Sequence, residues 1–168
     1  GSLGSGDGQF NNDVCIKVDA NYIYVGGGNN GRIQLFNKTS PYAFVAKFSA
    51  ATWYFAINDT YVYTADKGGN LVHIYNKTTP FAQVTQFGGA GTGNGQFNQI
   101  QSCTTDERYI YTTEYLNHRV QIFTIGSNIY SGYTYPPAGI LEKSLPYSWR
   151  IIENLDATLP YSWNIFSG

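Results

Sequence analysis

The stretch GDGQFNNDVCIKVDANYIYVGGGNNGRIQLF (6–36) returns as GNGQFNQIQSCTTDERYIYTTEYLNHRVQIF (93–123), without a gap and at an offset of 87. The register matches Phe10 with Phe97, Asp19 with Asp106, Tyr24 with Tyr111, Arg32 with Arg119 and Phe36 with Phe123. Between them lies a third copy. YVYTADKGGNLVHIYNKTTPFAQVTQF (61–87) aligns with YIYVGGGNNGRIQLFNKTSPYAFVAKF (22–48) at an offset of 39, which leaves a step of 48 to the last copy. The nine extra residues of that second step fall in the glycine-rich GGAGTGNGQF, which the middle copy lacks. Self-similarity at such a period dictates repeated supersecondary units, each covering a face that its neighbour cannot bury alone.

Each unit reads as strands of period two. In YIYV and RIQLF, apolar or aromatic residues alternate with others, GGGNNG (26–31) makes the turn between them, and FVAKF supplies a further outer strand. Pro41 and Pro80, in NKTSPYAFVAKF and its repeat NKTTPFAQVTQF, block helix and suit the approach to an edge strand. Fifteen tyrosines, ten phenylalanines and nineteen glycines in 168 residues fit the same all-β class of short strands and tight turns. A unit of about 40 to 45 residues with three or four antiparallel strands is the pattern of a β-propeller blade. The blades span approximately 4–48, 49–87 and 88–135, within a region 1–135. Three blades do not close a ring, since rings use about four to eight; other copies or further repeats are expected to complete it.

The pattern G-x-G-Q-F, then an aspartate ending one strand, I-Y-[VT] and [HG]-R-[IV]-Q-[LI]-F resembles the NHL repeat, named for its Asn-His-Leu signature. The resemblance covers about residues 4–125 and is carried best by NGQF…TTDERYIYTTEYLNHRVQIF (94–123). It implies six-bladed propellers. The middle copy departs from it by placing Leu71 in the arginine slot, and all three copies lack the P-x-G-[IV]-A that often precedes the first strand. Some propeller enzymes similar to this family, such as amidating lyases, hold zinc with histidines from several blades. Here the two histidines occupy different slots: His118 aligns with Gly31 and Asn70 in a turn, whereas His73 aligns with Gln34 and Gln121 in a strand. A zinc site needs about three protein ligands converging on one point, so neither a metal nor another cofactor is expected.

Asp19, Asp66 and Asp106 fit turn caps better than catalytic carboxylates, because no paired acid or base accompanies them. Cys15 and Cys103 differ by 88, one more than the repeat offset, and so fall on neighbouring positions of equivalent strands with a blade between them. That separation excludes the close approach a disulfide demands, and both read as small core residues. No nucleophile elbow, P-loop, dinucleotide fingerprint or zinc-ligand spacing occurs. A charged fraction of 12%, a net charge of −1 and no basic run argue against nucleic acid or anionic membrane as partners. No apolar stretch approaches the length of a membrane span. With no methionine and Gly1 at its start, the chain reads as processed or as part of something longer.

Three Asn-x-Thr sequons, at Asn37, Asn58 and Asn76, mark candidate glycosylation sites. Together with the tyrosine-rich, charge-poor composition they point to an extracellular or cell-surface location. Beyond residue 135 the blade pattern ends, and the 136–168 tail carries its own repeat, LPYSWRIIENLDA (145–157) and LPYSWNIFSG (159–168), at an offset of 14. By the two-residue strand period Tyr147, Trp149 and Ile151 share one face, repeated by Tyr161, Trp163 and Ile165. Such a strand pair is not stable alone and must rest on another surface. The tandem LPYSW units resemble those of large repetitive microbial surface proteins. The expectation is therefore a non-enzymatic, extracellular structural or adhesive protein of a microbe, self-associating through its tail into a ring or filament. Alternatives are a glycan- or protein-binding propeller, using turn residues Asn30, Asn70, Asn117 and His118, and a metal-dependent lyase or hydrolase.

Overall fold

The computed structural model describes residues 1–12, 15–106 and 108–125. The tail and its six assembly candidates, Tyr147, Trp149, Ile151, Tyr161, Trp163 and Ile165, lie outside the described residues. The chain is all-β. Thirteen strands and one short 3-10 turn at Gly28–Asn30 make up the described structure. The strands are β1 (Ser2–Leu3), β2 (Gln9–Phe10), β3 (Cys15–Val18), β4 (Tyr22–Gly26), β5 (Arg32–Asn37), β6 (Phe44–Ser49), β7 (Tyr54–Ile57), β8 (Tyr61–Asp66), β9 (Leu71–Asn76), β10 (Gln83–Gly88), β11 (Ile100–Thr105), β12 (Tyr109–Glu114) and β13 (Arg119–Thr124). No helix among the described residues is long and apolar enough to cross a membrane.

Three antiparallel meanders follow the three repeats: β3-β4-β5-β6 (sheet 1), β7-β8-β9-β10 (sheet 2) and β11-β12-β13 (sheet 3). The pairings obey the sequence offsets. Tyr24 faces Leu35 across β4 and β5, Tyr63 faces Ile74, and Tyr111 faces Ile122. One bulge recurs where β5 meets β6 and where β9 meets β10, and the outer strands follow Pro41 and Pro80 as the sequence implies.

Each β3–β4-type turn is set by one side chain. Asp19 Oδ1 accepts from the Asn21 and Tyr22 amides, Asn58 Oδ1 from Thr60 and Tyr61, and Asp106 Oδ1 from Arg108 and Tyr109. A short polar side chain that satisfies two amides in this way makes the turn locally self-sufficient. Asp66 caps a different turn, through the Gly68 and Gly69 amides. The left-handed residue that ends the next turn is Gly31 (φ 58°), Asn70 (φ 54°) or His118 (φ 49°). His118 is thus the turn residue its alignment implies.

The sheets stack face to face, and sheet 2 is buried on both sides. Phe55, Val62 and Tyr75 pack on Tyr24, Ile33 and Leu35 of sheet 1. From its other face Tyr63, Val72 and Ile74 pack on Ile100, Ile110 and Phe123 of sheet 3. Successive residues of one strand therefore serve two cores, which is why β8 and β9 read as nearly continuous apolar runs. Each fully covered Val, Ile or Phe contributes about 1.5–3 kcal/mol. The same aromatic pair bridges both junctions, Phe48 with Tyr75 (5.4 Å between ring centres) and Phe87 with Phe123 (4.7 Å).

The cysteines are free and lie on opposite sides of sheet 2. Cys15 donates to the Phe55 carbonyl and Cys103 to the Tyr63 carbonyl. Burial pushes the Cys103 thiol up to about 12, so it stays protonated and inert.

Candidate functional site

Two features stand apart from the stacking itself: a glycine loop clamped by arginine, present in the first and third repeats, and two apolar sheet faces at the ends of the stack.

In the third repeat the clamp closes on GTGNGQF. Arg119 donates from Nη1 to the Thr92 carbonyl and from Nη2 to those of Gly93 and Gln96. Gln121 donates to the Gln96 carbonyl while its own carbonyl accepts from the Gly95 amide. Behind them sits Glu114, whose side chain is fully buried. Its Oε1 accepts from Arg119 Nε (2.6 Å) and Gln121 Nε2 (2.7 Å), and its Oε2 from Asn117 Nδ2 (2.6 Å) and the Asn98 amide (3.0 Å). A carboxylate out of water needs this degree of pairing to be tolerated.

The first repeat copies the clamp without the acid. Arg32 donates to the Ser5, Gly6 and Gln9 carbonyls, and Gln34 exchanges bonds with Gln9 and Gly8. Gly27 stands in the Glu114 slot, and Arg32 Nε is buried without a partner. The middle repeat has no glycine loop to hold, and Leu71 replaces the arginine there. Loop and arginine are thus gained and lost together, and the arginine holds backbone carbonyls of its own chain.

The turn residues singled out as a ligand face are engaged in the same work. Asn30 donates to the Gly4 carbonyl, Asn117 to Gly91, and Asn70 accepts from the Gln99 amide. Of the four, His118 alone is exposed. His73 lies buried in β9, 3.4 Å from Asp66 Oδ2. Among the described residues, no group of three His, Cys, Asp or Glu side chains is placed to hold a metal. Of the sequon asparagines, Asn58 is committed to its turn through both side-chain ends, donating from Nδ2 to the Tyr63 hydroxyl. Asn37 and Asn76 close β5 and β9 at half-buried strand ends.

The end faces emerge from comparing equivalent positions. The front face of sheet 2 is covered by sheet 1 and that of sheet 3 by sheet 2; among the described residues no such sheet covers the front face of sheet 1. Phe55 is 0% exposed and Cys103 4%, but Ile16, in the same slot, is 61% exposed. At the other end, no described element covers the rear face of sheet 3. Val72 and Ile33 are 0% exposed, whereas Val120, their equivalent, is 41% exposed. The glycine loop follows the rule: Phe97 is fully buried with its ring against Phe87 and Phe123, while its equivalent Phe10 has, among the described residues, the Phe36 ring alone beside its own and stays half-exposed. At each end, then, an apolar residue in a slot that the internal junctions bury is left exposed. Sequence reasoning named the tail for assembly and missed these faces, although the repeat alignment already placed Ile16 and Val120 in core slots.

A polar contact frames the junction of sheets 1 and 2. Lys77 donates to the Asn58 carbonyl of its own sheet (2.8 Å) and pairs with Asp19 Oδ2 of sheet 1 (2.8 Å). Burial by itself would raise the Asp19 carboxyl, but the Lys77 ammonium, the Tyr22 and Asn21 amides and the Tyr24 hydroxyl together bring it down to about 2.

No protein-family model matches this chain, and no curated protein does. Among solved structures it is similar to one described as KlHsv2 with loop 6CD replaced by a Gly-Ser linker, at 8% identity and a TM-score of 0.50, over 69% of this chain and 37% of that one. It is also similar to glutaminyl cyclase of Myxococcus xanthus, at 16% identity and a TM-score of 0.51, over 67% of this chain and 47% of that one. The chain thus spans less than half of either structure, and at these identities the likeness is one of fold.

Proposed function

We propose that this chain is a structural, non-catalytic repeat protein whose three sheets are NHL-like β-propeller blades, completed into a ring or filament by further blades of the same kind. The observation that carries this reading is the pair of open apolar faces, front of sheet 1 and rear of sheet 3, in slots that every internal junction buries. A closed ring abolishes such ends, and an unclosed head-to-tail series becomes a filament. The arginine clamps support the same reading, since their donors are spent on rigidifying backbone. The aromatic tail adds a second link between copies. The sequons and composition favour an extracellular or cell-surface setting, in keeping with the resemblance of the tail repeats to those of microbial surface proteins.

Light scattering across a concentration series, on the full chain and on one ending at residue 135, tests this. Association that grows with concentration and weakens on removing the tail is expected. A monomer at high concentration, unaffected by removal of the tail, contradicts the reading.

A further inference from the structure

We propose that the partner on the front face of sheet 1 is the rear face of sheet 3 from a second copy, docked head to tail in the register that already joins sheet 1 to sheet 2. This rests on the assembly reading above and names its contact.

At the internal junction Tyr24, Ile33 and Leu35 receive Phe55, Val62 and Tyr75. In the same slots of the rear face, sheet 3 carries Tyr111, Val120 and Ile122, and on its front face sheet 1 carries Ile16, Ile23 and Phe36. Both halves of a junction of known geometry are therefore present on one chain at opposite ends of the stack, with Ile16 and Val120 exposed and Ile23, Phe36, Tyr111 and Ile122 half-buried. A self-complementary patch would give a symmetric pair; two different faces give a heterologous contact.

Charged groups at the two ends match as well. Asp19, Asn58 and Asp106 are equivalent, as are Lys38, Lys77 and Ile125. Between sheets 1 and 2 the two slots hold Asp19 and Lys77, an ion pair. Between sheets 2 and 3 they hold Asn58 and Ile125, and both charges are gone. In the proposed contact they hold Asp106 of one copy and Lys38 of the other, and both charges return. Lys38 already donates to the Asp19 carbonyl (2.9 Å), as Lys77 does to that of Asn58, yet makes no ion pair among the described residues. Asp106 accepts from the Tyr111 hydroxyl just as Asp19 does from Tyr24. Acid and base are thus each poised in the geometry of the Asp19–Lys77 pair, each without its partner.

The test uses full chains with Ile16→Arg and Val120→Arg, both at exposed positions, compared by sedimentation velocity with the unmodified chain, folding being checked by circular dichroism. Each variant alone is expected to associate far more weakly than the unmodified chain, keeping only what the tail supplies. An equimolar mixture is expected to form two-chain particles, because one intact front still meets one intact rear. Asp106→Asn, which keeps the turn cap as Asn58 does, is expected to weaken association about tenfold at low salt and to flatten its salt dependence. Either arginine variant associating like the unmodified chain, or a mixture that stays monomeric, overturns the docking while leaving assembly through the tail standing. An unmodified chain that never associates overturns both.

Discussion

Lys77 reaches from sheet 2 across to sheet 1 and sets its ammonium 2.8 Å from Asp19 Oδ2, with both side chains largely covered. The pair ties two repeats together at the rim of an otherwise apolar junction. Its consequences begin with acid.

The Asp19 carboxyl titrates at about 2 in the folded chain, below its ordinary value of 3.8. A depressed carboxyl contributes stability that is present above the unfolded value and is lost as pH falls through the folded one. Unfolding midpoints should therefore drop between about pH 4 and pH 2. Lys77→Met removes the main partner, raises the Asp19 carboxyl and should cost about 1 kcal/mol at neutral pH. Urea melts of both chains at pH 7 and pH 2.5 check this, with the difference expected to shrink at the lower pH.

The two arginine clamps should fail differently. Removing Arg119 strands the buried Glu114 carboxylate, so Arg119→Ala should cost about 3–5 kcal/mol. Arg32→Ala loses similar bonds to the glycine loop but strands no acid, because Gly27 fills that slot; a cost of about 1–2 kcal/mol is expected. Chemical denaturation of the two variants side by side would show the contrast, and equal losses would refute it.

His118 adopts φ 49° and faces solvent. A branched side chain there should cost about 1–2 kcal/mol, whereas glycine, the residue of the first repeat, should be neutral or slightly stabilising. Thermal melts of His118→Val and His118→Gly test the reading of this histidine as a turn residue.

Asn58 donates its amide to the hydroxyl of the fully buried Tyr63. A sugar on that nitrogen would displace this bond, so in a glycosylating host Asn37 and Asn76 should be modified and Asn58 left bare. Peptide mass spectrometry reads this directly. Asn58→Asp should be tolerated within about 0.5 kcal/mol, since aspartate fills the slot in both other repeats.

The strand order and the register of the sheets were legible because the three copies align residue for residue: once Tyr24, Tyr63 and Tyr111 are matched, their partners Leu35, Ile74 and Ile122 follow. The aspartate caps and the left-handed turn were equally readable, since Gly, Asn and His share one slot. The clamp was only half visible. Sequence shows that Arg32 and Arg119 accompany a glycine loop and that Leu71 does not, but the buried Glu114 looks like any strand-end acid, because its burial depends on a loop from the far side of the repeat. The open faces were hidden for a related reason. Ile16 and Phe55 are the same kind of residue in the same slot, and only the stacking order decides which of them meets water.

As proposed above, these three sheets form an open stack that sheets of the same kind complete. Electron microscopy of the purified full chain tests it most directly. Discs or filaments in which successive sheets continue the stack are predicted; isolated single-chain particles at high concentration would contradict it.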